Sequence, residues 1–309
     1  MTIRQPAFAA QGRFWRGNLH THSTLSDGVL EPGEVCRRYA DEGYDFICLS
    51  DHLVGRYDYP IADTTPFRNN SFTTVLGAEV HTDRMANGEI WHILAVGLPP
   101  DFERPDAPDF DGETAREEAA SLAARCAAAG AFVAIAHPEW NGMTPADARR
   151  IEAAHAVEIY NHGCEIECAR GYGTAILDQL LADGRRLSAC ATDDAHFAGP
   201  DHFGGWVMVK APELDPAALV RALRAGEYYS SQGPRLHDVR VEGDEIVVEC
   251  SPVDRVLAVG ARAAATQRYG SGMMQARLPL AKFRAGGWVR ITVVDRHGRY
   301  AWANPVWLE

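Results

Sequence analysis

Between residues 14 and 230 the chain alternates short apolar runs with helical patterns, and this alternation restricts its fold more tightly than any other feature. The runs are FWRGNLHTH, DFICLS, FTTVLGAE, WHILAVG, AFVAIAH, AVEIYN, LSACATDD and GWVMVK. Between them, PGEVCRRYADEG, GETAREEAASLAARCAAAG, TPADARRIEAA, GTAILDQLLADG and DPAALVRALRAG read as helices. Several open on Pro or a Thr or Asp cap and close on Gly. The second of them is expected to run from Thr114 to Ala129. Strands separated by helices over this length predict an α/β fold, closing as a barrel. From residue 235 the pattern changes to period-2 alternation with turns at EGD, AGG and RHG, which predicts a small antiparallel β unit. The expected division is therefore 1–234 and 235–309, with residues 98–112, LPPDFERPDAPDFDG, as a surface loop.

Composition narrows the class. A formal net charge of −12 argues against a nucleic-acid-coating surface and against an anionic membrane partner. No run approaches the roughly 18 apolar residues of a membrane span, and the N-terminal residues lack the apolar core of a signal peptide. Seven cysteines, an odd number placed mostly in apolar runs, fit a reduced cytoplasmic protein. Cys164 and Cys168 are spaced to share a helix face, but no second cysteine pair accompanies them.

The stretch NLHTHSTLSDG places His20 and His22 two residues apart, with Asp27 just before a glycine. On a strand such a pair shares a face; on a helix it splays by roughly 200°. Extended, the two imidazoles can share one ion. Asp51 and His52 follow FICLS, Glu79 ends TTVLGAE, His137 ends FVAIA, and Asp194 and His196 follow LSACAT. His92 breaks the rule by standing near the start of its run. Ligand-type groups at the C-terminal ends of buried strands are how an α/β barrel builds a site. The inventory is His20, His22, Asp27, His52, Glu79, His92, His137, Asp194 and His196. Mixed nitrogen and oxygen donors suit two or three divalent ions of zinc, iron or manganese better than magnesium or calcium. Three carboxylates cannot neutralise three dications, so a small anionic substrate, a phosphate ester, is expected.

NLHTHSTLSDG, LSDH, GAE, HILAVG, IAHPE and ATDDAH, in that order, resemble the PHP (polymerase and histidinol phosphatase) family of metal-dependent hydrolases across residues 14–200. YYSSQGP followed by YAWANPVWL is similar to the carbaryl-hydrolase-like branch. The resemblance implies a distorted (β/α)7 PHP-type barrel with a two- or three-metal centre at its C-terminal face. Carried over by position, His20, His22 and Asp194 would hold one ion. His92 and His137 would hold a second, with Glu79 bridging, and Asp27, His52 and His196 a third. The implied chemistry is in-line attack by a hydroxide between two ions, without a Ser or Cys nucleophile. A third ion, or a protonated His52 or His196, would stabilise the leaving oxygen. Phosphoester hydrolysis of a small or nucleotide-like substrate, by a mono- or diesterase, is the leading expectation. Carbamate, carboxyl-ester or amide hydrolysis on the same centre is the alternative, and a non-catalytic metal- or nucleotide-binding module is the third reading.

Other residues carry weaker expectations. Asp51, beside His52, is read as orienting an imidazole, and Asp193, beside Asp194, is read in the same way. His81 would share a face with Glu79 if the strand continues, but is read as rim or surface. His162, at the end of an apolar run, and Arg170, before a glycine and a helix start, are candidate substrate contacts. His155, His202, His237 and His297 read as structural or surface residues. Trp91, Trp140 and Trp206 either line a pocket or fill the core.

Overall fold

The structure is a computed structural model and describes residues 2–110 and 115–308. Its strands, in chain order, are β1 (Thr2–Arg4), β2 (Arg13–Asn18), β3 (Phe46–Leu49), β4 (His52–Leu53), β5 (Thr73–Arg84), β6 (Ile90–Val96), β7 (Phe132–Ile135), β8 (Ala156–Asn161) and β9 (Ser188–Thr192). They continue as β10 (Trp206–Ala211), β11 (Tyr228–Ser231), β12 (Leu236–Glu242), β13 (Glu245–Val259), β14 (Ala265–Pro279), β15 (Trp288–Val294), β16 (Tyr300–Ala303) and β17 (Val306–Trp307). The helices are α1 (Pro6–Ala9), α2 (Pro32–Asp41), α3 (Ala119–Ala128), α4 (Pro145–Arg150), α5 (His162–Cys168), α6 (Thr174–Ala182) and α7 (Pro216–Arg224).

Local chemistry sets the helix starts. Thr144 and Asp147 form a reciprocal capping box on α4, and the Asp215 carboxylate accepts from the Ala218 amide 2.9 Å away on α7. The helix expected from Thr114 begins at Ala119; Thr114 itself lies outside the described residues. Helix α5 lies outside the segments expected to be helical. It starts directly after β8, where the Asn161 side chain accepts from the Cys164 amide at 2.9 Å.

The sheet is mixed. β2, β3 and β5 are parallel, as are β7, β8 and β9. β6 runs antiparallel to both neighbours, because a short turn at residues 85–89, with Gly88 at φ +91°, reverses the chain, and parallel strands need a longer crossover. The start of β6 is thereby brought beside the end of β5, where His81 pairs with His92. That reversal accounts for the exceptional sequence position of His92.

The strand ladder does not close regularly. The segments just beyond β2 and β9 meet through an isolated parallel bridge between Thr21 and Ala195. It is flanked by Asp194 N–H to His20 C=O at 2.8 Å and His22 N–H to Ala195 C=O at 2.9 Å. β2 itself pairs with parallel β3 on one side and antiparallel β10 on the other. The fold is thus mixed α/β; the hydrogen bonding alone does not make the expected (β/α)7 ring.

The C-terminal strands β12–β17 are antiparallel, and β1 joins them by pairing with β12. This unit backs onto the first part of the molecule. The Ala189 amide of β9 donates to the Asn304 side chain at 2.8 Å, and Trp288 and Trp302 share a buried cluster with Ile159, Leu177 and Ala189. No described helix is long and apolar enough to cross a membrane.

Candidate metal centre

Each ligand-type residue reaches the site by a local device. His20 and His22 stand just beyond β2 on the segment bridged to Ala195. His137 and Asp194 follow β7 and β9 and turn there with φ of +23° and +55°. Left-handed backbone at a non-glycine residue costs about 1–3 kcal/mol and recurs where a side chain must be aimed. Asp27 lies on a loop held by Asp51, whose carboxylate accepts from the Ser23 amide, the Ser23 hydroxyl and the Ser26 hydroxyl at 2.7, 2.8 and 2.6 Å. Asp51 therefore anchors that loop instead of orienting an imidazole.

Glu79 is the centre of the arrangement. Its carboxylate oxygens lie 2.7 Å from His52 Nδ1, 2.8 Å from His92 Nδ1 and 2.9 Å from His137 Nε2. His20 Nε2, His22 Nε2 and His81 Nε2 stand 3.6, 3.8 and 3.9 Å away. Asp194 Oδ1 lies 3.1 Å from His20 Nε2 and 2.9 Å from His22 Nε2. Asp27 lies 3.2 Å from His52 Nε2 and 3.4 Å from His196 Nε2. All nine residues of the sequence inventory therefore converge. Donor atoms close enough to share an ion form four groups: His22–Asp27–His52–His196, His52–Glu79–His81–His92, His20–His22–Glu79 and His20–His137–Asp194.

A further carboxylate, Glu158, organises this set from behind and was not singled out in the sequence. It is wholly buried on β8. One oxygen accepts from His20 Nδ1 at 2.9 Å and Thr192 Oγ1 at 2.5 Å; the other accepts from the His137 amide at 2.7 Å and Asn161 Nδ2 at 2.9 Å. The available signal was a glutamate inside the apolar run AVEIY. With Nδ1 engaged there, His20 turns Nε2 toward Asp194 and Glu79, yet this buried nitrogen makes no hydrogen bond. Against burial, Asp194, Glu158 and Glu79 hold the His20 pKa well above the usual imidazole value, and a divalent cation fits between the two carboxylates and would replace that proton on Nε2.

The electrostatics agree with that fit. Burial works against the charge of Glu79, but His92, His20 and His52 hold its carboxyl well below the usual range. Asp194 is lowered against burial chiefly by His20 and His22, and Asp27 by His196 and His52. In return, and again against burial, Glu79 and Asp27 raise His52 to about 10, and Asp27 and Asp194 raise His196 to about 9. His22, buried beside His196 and His52, falls to about 4. Protons on His52 and His196 balance the carboxylates, and bound cations would displace them.

A cavity of about 720 Å³ opens over this face, with Asp27, His52, Glu79, His92, His137, Asp194 and His196 in its wall. Trp140 and Phe110 line it, whereas Trp91 fills the core and Trp206 stacks on Arg16. Arg84 is the one arginine or lysine among its described lining residues, and Glu89, Glu167 and Asp201 also face it.

His162 and Arg170 are not among the lining residues. His162 begins α5 and turns its Nδ1 to the Tyr160 hydroxyl at 2.9 Å, packed against Gly204. Arg170 follows the left-handed Ala169 that ends α5 and is exposed. Asp193 accepts from the Tyr39 hydroxyl and the amides of Phe203, Gly204 and Gly205, so it holds a loop and no imidazole. His81, expected at the rim or surface, is buried at the centre, 1% exposed. His155, His202, His237 and His297 lie outside the cavity wall.

No protein-family model matches the chain, and no curated protein does. Its backbone is similar to the crystal structure of a two-domain protein containing a predicted PHP-like metal-dependent phosphoesterase from Bacteroides vulgatus ATCC 8482. The two share 16% identity over 93% of each chain, with a TM-score of 0.52. An amidohydrolase from Chromobacterium violaceum, solved with bound sulfate and no metal, is similar over 58% of this chain and 87% of its own, at 16% identity and a TM-score of 0.44. The mixed α/β fold is thus shared with a protein that contains a predicted PHP-like phosphoesterase, as the motifs led us to expect, while a closed (β/α)7 barrel is not established by this likeness.

Proposed function

We propose that the protein is a metal-dependent hydrolase acting on a phosphate ester of a small or nucleotide-like molecule. The observation that carries the reading is Glu79: six imidazoles surround one buried carboxylate at the floor of a cavity sized for a small molecule. In this reading the seven strands β2, β3 and β5–β9 act as a distorted (β/α)7 barrel, with residues 235–309 as a small second domain. His20, His22 and Asp194 would hold one divalent ion of zinc, iron or manganese. His92 and His137 would hold a second with Glu79 between the two, and Asp27, His52 and His196 a third. Such ions supply Lewis acidity and lower the pKa of water toward ~7.

The chain's own groups do the rest. Glu158 keeps His20 turned inward. Trp140 and Phe110 limit water beside the reacting centre. His52 and His196, which hold protons at neutral pH when no cation competes, can hand one to a leaving oxygen. The seven cysteines are all free, six of them buried, which supports an intracellular setting.

One observation favours a second reading. With a single arginine and several carboxylates in the wall, little besides the ions would neutralise a phosphate. Hydrolysis of a carbamate, carboxyl ester or amide with an apolar flank fits such a wall, in line with the carbaryl-hydrolase-like tail. A panel of p-nitrophenyl phosphate, bis-p-nitrophenyl phosphate and p-nitrophenyl acetate separates the two. Phosphate-ester turnover by metal-loaded protein, abolished by chelator and by His137→Ala, is expected. Turnover of the acetate alone would overturn the first reading in favour of the second. Less than one transition ion per chain with no turnover would sink both.

A further inference from the structure

His81 is a buried histidine that the proposed ligand set leaves without a task. It lies on β5 two residues after Glu79 and pairs in register with His92 on β6, the two rings 4.4 Å apart. Its Nε2 is 2.8 Å from His52 Nδ1, and its Nδ1 is buried with no hydrogen-bond partner. His52 Nδ1 stands at the same time 2.7 Å from Glu79 Oε2, and His92 Nδ1 is 2.8 Å from Glu79 Oε1. Two imidazole nitrogens and a carboxylate oxygen thus converge where one proton can serve only one contact.

A cation serves all of them. Ligand atoms of a tetrahedral zinc ion, each about 2.0–2.1 Å from the metal, stand about 3.3 Å apart. The separations here, from 2.7 to 3.9 Å, bracket that value, and all four donor atoms lie within 4.8 Å of one another. Four protein donors leave no open position, and the Phe110 ring covers the group with its centroid 4.9 Å from that of His81. The group also competes with the proposed centre, which uses His92 and Glu79 for its second ion and His52 for its third. His52 presents Nδ1 to Glu79 and His81 but Nε2 to Asp27, 3.2 Å away. A neutral imidazole has one lone pair, so it can serve one side at a time.

We propose that His81 is a metal ligand. It completes a closed His52–Glu79–His81–His92 site for a zinc-type ion, and filling that site withdraws His52 from Asp27 and His196 and takes up His92 and Glu79, which the second ion would use. The chain therefore carries an inhibitory metal position inside its own centre: hydrolysis rises with the first ions bound and falls when excess zinc fills the closed group.

The inference rests on the metal-dependent reading above, and its test separates the two. Full-length protein is titrated with Zn²⁺ by equilibrium dialysis and metal analysis, wild type beside His81→Gln. The zinc positions are located by anomalous diffraction from wild-type crystals grown with excess zinc. A zinc peak at bonding distance from His81 is expected. In His81→Gln the weakest class of sites should lose at least about 10-fold in affinity, and inhibition by excess zinc should ease. Wild-type crystals with zinc bound elsewhere but none on His81 would overturn this inference alone, as would unchanged binding by His81→Gln. Wild-type protein that takes up no zinc would overturn this inference, and the proposed function with it if manganese and iron are not bound either. If His81→Gln does not fold, the anomalous map decides by itself.

Discussion

At the scale of single residues, the candidate centre depends on side chains that stand behind its donors. Glu158 is the clearest: one buried carboxylate accepts four hydrogen bonds and sets both the ring of His20 and the backbone of His137. In Glu158→Gln an amide NH2 must face groups that are themselves donors. A buried donor left unpaired costs about 1–3 kcal/mol, and loss of such a supporting partner typically weakens metal binding 10- to 100-fold. We expect Glu158→Gln to fold, melt at lower temperature and bind its ions more weakly, as read by calorimetry and metal titration. Unchanged affinity would show that His20 needs no outside support. Glu158 was hard to read because a lone acid in an apolar strand carries no local signal of its role; all but one of its four donors, Asn161, come from outside its strand. Arg170 fails for the converse reason. Its motif was plausible, but the left-handed turn at Ala169 leaves it outside the cavity.

At the scale of elements, strand direction and close approach decide where the donors go. β6 delivers His92 because it is the reversed strand of a hairpin, so its start lies beside the end of β5. β2 and β3 can lie close together because Gly17 has no side chain. A Cβ there would come within 2.2 Å of the buried Phe46 ring. Gly17→Ala should therefore push Phe46 aside and destabilise the fold by about 1–3 kcal/mol. Denaturant unfolding measures this, and a change under about 0.5 kcal/mol would mean that Phe46 moves freely. The other elements were largely legible. α2, α4, α6 and α7 fall inside the expected spans, because Pro starts, polar caps and glycine stops are local signals. Helix α5 was missed because its cap, Asn161, closes an apolar run and its few residues form less than two full turns.

Across the whole molecule, charge in the centre ties stability to pH and to metal. Without ions, His52 and His196 titrate near 10 and 9, against about 6.5 when unfolded. The folded chain then binds more protons than the unfolded one between those limits. Their stabilisation is complete below pH ~6.5 and is lost as pH rises through 9 to 10. Buried thiols such as Cys36 and Cys126, pushed up to about 12 by burial, add a loss above pH ~8.5 to both forms, so chelator-treated protein should lose on the order of 5 °C more than metal-loaded protein from pH 7 to 10. Scanning calorimetry of both forms checks this, and parallel curves would refute it. Metal uptake at pH 7–8 should also release protons, measurable by titration calorimetry in buffers of different ionisation enthalpy. The sequence by itself determined the donor inventory, the extended HTH pair and the alternation that sets ligands at strand ends, because side-chain periodicity and chain punctuation are local properties. Only the tertiary structure decided that His92 stands beside His81, that Glu79 sits among six imidazoles, and that Trp140 walls the cavity while Trp91 fills the core. Those facts depend on register and direction between segments distant in the chain, and no local pattern encodes a distance between side chains that meet only after folding.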